Sequence, residues 1–137
     1  MRKVLVLIGV FILAALVLTL TAQQTVTDLS PIMKDVAATQ TSLRMNITNN
    51  AAADALKDAA KLQDDFTKAQ GFFKAMKAQD AVDMAKASAD AAGEIAKAAK
   101  ANNLDAAKAP LQVIQKSCTP CHNVHRETLP DKTFKFK

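Results

Sequence analysis

Apolar side chains recur at alternating spacings of three and four through almost everything beyond Ser30, and residues that break helices are scarce there. Between Ser30 and Leu129 the only glycines are Gly71 and Gly93. No stretch alternates apolar and polar residues as a half-buried strand does. The periodicity therefore predicts an all-α chain.

Four segments can be read off. Ser30 is a good N-cap and Pro31 fits the first helical position. Ile32, Val36, Leu43 and Ile47 then lie within about 60° of arc at 100° per residue, a compact stripe. Asn49-Asn50 is the expected stop. A second helix is predicted from near Ala52 to somewhere between 69 and 77, where Gly71 weakens it. It carries two overlapping stripes, one through Leu56, Ala59, Gln63, Phe66, Gln70 and Phe73, the other through Leu62, Phe66, Ala69, Phe73 and Met76. A third is expected to start with Asp80 as its cap. Its inner face is Val82, Ala85, Ala89, Ala92, Ala96 and Ala99, with Ile95 beside it, small enough to let helices approach closely. Asn102-Asn103 is the next break.

The fourth segment carries Leu104, Ala107, Leu111, Ile114, Cys118, Cys121 and His125. Pro110 is expected to kink or divide it, because proline removes a backbone donor. Pro120 is a second irregularity. Leu129-Pro130 should end the helical part, and Asp131 to Lys137 reads as a tail. Four amphipathic segments of about 20 residues with short connections predict an antiparallel up-down-up-down four-helix bundle, packed at roughly 20°. Half of the residues are apolar, but many of these are alanine, with six Phe and no Trp or Tyr. So few large side chains leave room for a buried group to supply bulk.

Residues 1–22 read as a signal peptide. Arg2 and Lys3 form a positive start, Val4 to Leu18 an unbroken apolar run, and Thr19 to Ala22 a less apolar end with a small last residue. Cleavage is expected after Ala22, leaving 23–137 as one domain. The alternative is an uncleaved membrane anchor, although a spanning helix takes about 20 apolar residues. Either way the remainder is sent out of the cytoplasm, and the expected location is the bacterial periplasm. Losing Arg2 and Lys3 takes the 18 Lys+Arg to 16 against 13 Asp+Glu, and the formal charge from +5 to +3. The charges are interspersed, as on solvated helix faces. No basic block with aromatics suggests nucleic acid, and no Ser/His/Asp set or carboxylate pair suggests an enzyme.

The two cysteines stand in one motif, Cys118-Thr119-Pro120-Cys121-His122. No other cysteine is left to make a distant structural disulfide. C-x-x-C-H is the pattern of covalent attachment of one haem c. Two thiols three apart on one turn reach the two vinyl-derived carbons of a haem edge, and the next residue, His122, offers an imidazole to the iron. Two other readings stay open. A redox dithiol usually needs a βαβ setting. A closed zinc site wants four ligands, and only Cys118, Cys121, His122 and His125 are at hand.

A C-x-x-C-H near the end of the chain, on the last helix of a four-helix bundle, resembles the class II c-type cytochromes, meaning cytochrome c′ and its low-spin relatives. The likeness in layout covers the whole mature segment, and its specific part is Cys118 to Arg126. Arg126 matches a basic residue of the family motif, while His125 stands where that motif usually has an aromatic. By position Arg126 can contact the proximal imidazole or a haem propionate, or be an ordinary last-turn cation. His125 is expected to support the site and not to ligate iron.

In the low-spin relatives a methionine near the start of the first helix supplies the sixth ligand. In cytochrome c′ an apolar side chain usually blocks that face. Met33 is placed to face the bundle interior and is the candidate distal ligand. Its alternative role is core filling, the commoner use of methionine. Met45 points away, and Met76 and Met84 flank the second loop as weaker candidates. The resemblance implies an electron carrier with redox partner proteins, and homodimers are common in that family. A five-coordinate protein that binds NO or CO is the rival reading, and a helical adaptor with a redox dithiol a third.

Overall fold

The computed structural model describes residues 28–137; the expected signal segment lies outside them. The described residues form four helices, α1 (Ser30–Thr48), α2 (Ala52–Ala75), α3 (Gln79–Lys100) and α4 (Lys108–His125), followed by two short strands, β1 (Arg126–Thr128) and β2 (Phe134–Phe136). Helix α2 packs on α1 and α3, and α3 packs on α4, whereas α1 and α4 do not pack closely on each other. Among the described residues no helix is long and apolar enough to cross a membrane.

Periodicity explains the core. In α1, Val36, Thr39, Leu43 and Ile47 are buried. In α2 the stripe through Leu62, Phe66, Ala69 and Phe73 is buried, while Gln63 is exposed and Met76 ends the helix at 51% exposure. The larger apolar cluster joins all four helices around Leu43, Leu62, Ile95 and Ile114. A second joins Ala69, Phe72 and Phe73 to Ala81, Val82 and Ala85, with Met33, Cys121 and Phe136 partly buried against it. Ala55, Ala59 and Ala92 have no exposed surface, so α2 and α3 meet through small side chains.

Three helices end in the same way. Asn50, Lys77 and Asn102 have φ of 55°, 57° and 55°. In each case the following N–H reaches back to a carbonyl of the last turn: Ala51 to Asn46, Ala78 to Phe73 and Asn103 to Ala98, at 2.9, 3.1 and 2.9 Å. These are Schellman closures, which satisfy carbonyls the helix leaves free. Asparagine tolerates the left-handed conformation because its short polar side chain bonds locally.

Several expectations about helix ends need correction. Ser30 is the first residue of α1 and not its cap; its N–H donates to Asp28 Oδ1 at 2.8 Å, so the capping oxygen comes from two residues earlier. Asp80 lies in the first turn of α3, which begins at Gln79 after Ala78. The fourth segment is divided just before Pro110, one of the two outcomes expected of a proline there. The turn containing Leu104 and Ala107 precedes α4, and Pro110 falls in the helix's first turn, where backbone N–H groups have no intrahelical acceptor. Pro120 does lie inside α4, and its missing N–H leaves the Lys116 carbonyl without its usual helical donor.

The segment expected as a tail is a hairpin. Strands β1 and β2 pair antiparallel, with Arg126 opposite Phe136 and Thr128 opposite Phe134. Asp131 Oδ1 accepts from the Thr133 N–H at 2.9 Å and hydroxyl at 2.6 Å, and Lys132 takes φ 64°. Such short strands are invisible to periodicity, and their anchorage comes from contacts distant in sequence.

Lys77 is the bulkiest of the three left-handed residues at helix ends, and it is exposed. Left-handed backbone costs a side-chain-bearing residue roughly 1–2 kcal/mol, and the extra unfolded-state freedom of glycine offsets part of the gain. Lys77→Gly is expected to stabilise the protein by about 0.5–1 kcal/mol in urea unfolding. An unchanged or lower midpoint would contradict this account of the α2–α3 connection.

Candidate functional site

The sparse α1–α4 seam leaves a cleft of about 670 Å³. Its volume is in the range of sites for small molecules and cofactors, about 300–1,000 Å³. Helix α1 contributes Met33, Val36 and Gln40; α2 contributes Phe66 and Phe73; α3 contributes Met84 and Ser88. Cys118, Cys121, His122 and His125 come from α4, and the hairpin closes one side with Phe134 and Phe136. The motif residues therefore meet one largely apolar chamber.

Helical spacing brings Cys118, Cys121 and His122 onto the cleft. Cys118 and Cys121 are both half-buried and unbridged. The Cys118 thiol donates to the Ile114 carbonyl at 3.2 Å. Burial pushes both thiols above the ordinary range; the Gln40 amide pulls Cys118 slightly the other way, and Asp80 and Cys118 add to the rise at Cys121. Reactive dithiols depend on a lowered pKa, so this environment does not favour the redox-dithiol reading. Burial also holds the His122 pKa down, with Arg126 adding to the effect. Its imidazole is thereby kept neutral, the form that ligates a metal.

A polar pin fixes the motif against α3. Ser88 is almost fully buried, and its hydroxyl meets that of Ser117 at 2.7 Å while also donating to the Met84 carbonyl at 3.0 Å. Ser117 precedes Cys118, so this contact sets where the first thiol sits. Across the cleft, Gln40 Nε2 is buried near enough to the Cys118 thiol to lower its pKa, but makes no hydrogen bond of ordinary length among the described residues. A buried amide donor so weakly satisfied is costly, and it would find a better acceptor in a bound group that carries one. A large apolar chamber, two adjacent thiols and a neutral imidazole together fit a haem. Among the described residues no group of three or more His, Cys, Asp or Glu is arranged to hold a metal ion unaided.

His125 is turned to a different task from its neighbours. Its Nε2–H donates to Asp80 Oδ2 at 2.8 Å, its ring stacks on Phe136 at 5.1 Å and 7°, and its carbonyl accepts the Lys137 N–H at 3.0 Å. Phe136 in turn packs edge-on against Phe72 at 5.5 Å. Arg126, already in extended backbone, lays its guanidinium over the Phe134 ring at 4.3 Å. His125 thus clasps α3, α4 and the hairpin together, a role that sequence spacing does not reveal.

Met33 is half-buried on the cleft, and Met45 is 55% exposed. Met84 also lines the cleft, although its position by the second loop suggested the edge of the bundle. The reason is that α3 begins before Asp80, so Met84 lies in its second turn, one turn from Ser88. Its helix packs directly on α4, which puts Met84 beside the motif, whereas Met33 comes from the helix on the other side of the seam.

Comparison with protein-family models, with curated proteins and with solved structures finds no match to this chain.

The clasp has a definite pH dependence. The hydrogen bond from His125 holds the Asp80 carboxyl below its ordinary range, and the Thr133 bonds do the same for Asp131. A depressed carboxylate pKa contributes stability above its unfolded value, and that contribution is lost as pH falls through the folded value. The hairpin is therefore expected to loosen below about pH 4. NMR shifts of the Phe136 ring should then move toward random-coil positions before the helices melt. Phe136 shifts that hold until global unfolding would remove Asp80 from this role.

Proposed function

We propose that this protein is a periplasmic electron carrier of the class II c-type cytochrome kind, exported by cleavage after Ala22. In this reading the four helices form an antiparallel up-down-up-down bundle and one haem is attached on α4. The observation that carries the reading is the meeting of Cys118, Cys121 and His122 with a largely apolar cleft of about 670 Å³. When bound, the haem supplies one-electron redox chemistry, and the protein sets its ligation, burial and access.

Each residue has a separate part. Cys118 and Cys121 hold the haem edge through thioether bonds, so retention does not depend on the strength of a small alanine-rich core. His122, kept neutral by burial, is the proximal ligand. The Ser88–Ser117 pin and the His125 clasp fix α4 on either side of the motif, which limits rearrangement between oxidation states. Val36, Phe66 and Phe73 exclude water from the chamber. Met33, across the seam from α4, is the distal ligand; methionine paired with histidine raises the potential. The partners are redox proteins. A homodimer is compatible with this reading, and membrane attachment would arise only if the N-terminal segment is retained.

The rival is a five-coordinate protein that captures NO or CO on an open distal face. One observation favours giving it weight: the Gln40 amide lies in the cleft with no hydrogen bond of ordinary length, so its N–H can turn to a small ligand. Spectra separate the two readings. The electron-carrier reading predicts a low-spin holoprotein with a methionine-to-iron band, which Met33→Ala abolishes and Met84→Ala leaves in place. A high-spin ferrous spectrum with rapid CO binding in the unmodified protein would favour the rival. Loss of the band in Met84→Ala alone would transfer the distal role to α3.

A further inference from the structure

The charged groups on the cleft are all of one sign. Lys34 of α1, Arg126 at the end of α4, and Lys132 and Lys135 of the hairpin line it, and no carboxylate does. The hairpin's own acids are otherwise engaged: Glu127 pairs with Lys135 at 3.2 Å, and Asp131 is turned to Thr133. Arg126 is held over Phe134. Among the described residues, Lys34 and Lys132 have no carboxylate partner.

Lys132 is also held in an unfavourable backbone conformation. Its φ of 64° lies in the left-handed region, and its N–H donates to the Leu129 carbonyl at 2.9 Å. Glycine or asparagine would sit there at less cost. A strained residue kept in place by its surroundings at the edge of a cleft is a reason to look for a role. The surroundings are well anchored, since Phe136 is fixed to Phe72 and to His125, and Leu129 N–H donates to the Thr133 carbonyl at 2.8 Å.

We propose that the C-terminal hairpin is a built part of the cofactor site, a clamp whose Lys132, with Lys34 opposite on α1, takes the carboxylate end of the haem. The proposal rests on the haem reading above. The hairpin adds two things to this edge of the cleft: the aromatic side chains of Phe134 and Phe136, and a cation, Lys132, without a carboxylate partner among the described residues. A carboxylate bound there would pair with Lys132, and a positive charge on the cleft would disfavour the oxidised form of the haem it holds.

The test is the midpoint potential of the purified holoprotein by spectroelectrochemistry. Lys132→Gln should lower it, because removing a nearby positive charge stabilises the ferric state. Lys132→Arg should leave it near the wild-type value. Lys100→Gln, which removes the same charge at the far end of α3, should not move it. Lys132→Gly separates charge from fold: it relieves the left-handed backbone and should still lower the potential. A Lys132→Gln potential equal to that of Lys100→Gln would overturn the proposal. So would an unchanged potential with slower oxidation by ferricyanide, an anionic reagent, since that result assigns the lysine to docking of anionic partners. Wild-type protein without covalent haem would defeat the electron-carrier reading itself, and this proposal with it.

Discussion

Alanine-lined contact between α2 and α3 positions the rest of the molecule. With Ala55, Ala59 and Ala92 fully buried, the two helices meet through small side chains, and α1 and α4 flank them on either side. The larger apolar residues Leu43, Leu62, Ile95 and Ile114 fill one cluster. Along the α1–α4 seam the large apolar side chains that the helices contribute to the cleft include Val36, Phe66, Phe73, Met33 and Met84. A chain with six Phe and no Trp or Tyr has little bulk with which to close such a seam. The cleft follows from composition and helix spacing together.

Electrostatics and burial then divide the cleft into distinct regions. Around Cys118, Cys121 and His122 burial dominates, raising the thiol pKa values and lowering that of the imidazole. Uncharged thiols and a neutral ring suit covalent attachment and axial ligation, and they suit thiolate redox chemistry poorly. At the hairpin side the charged side chains, Arg126, Lys132 and Lys135, are all cationic. An amphiphilic planar molecule with an apolar body and carboxylates at one edge matches this division. The Ser88–Ser117 and His125–Asp80 contacts fix the helix between the two regions.

Much of this was legible in the amino-acid order. The Ile32-to-Ile47 stripe, the Asn50 and Asn102 stops and the small inner face of α3 are local consequences of side-chain spacing and backbone preference. Pro110 marks a division of the fourth segment, but not where it falls, because the turn holding Leu104 and Ala107 continues the same apolar spacing without being helical. The hairpin was missed because three-residue strands carry no period, and its stability comes from Phe136 meeting residues of α2 and His125. For the site, the Cys118-to-His122 motif announced itself. Gln40 and Lys132 did not, since a weakly satisfied amide and an unpaired cation on a cleft are recognised only once their neighbours are known. Met84 joins them for the same reason.

The central claim is covalent attachment of haem through Cys118 and Cys121. The direct measurement is the intact mass of the chain expressed in a periplasm with working haem-attachment machinery, together with a haem stain after denaturing electrophoresis. The account predicts a processed chain carrying the mass of one haem, with the stain retained under denaturing conditions and lost in the Cys118→Ala, Cys121→Ala double variant. A wild-type chain that is exported and folded but has only its polypeptide mass and no stain would contradict it.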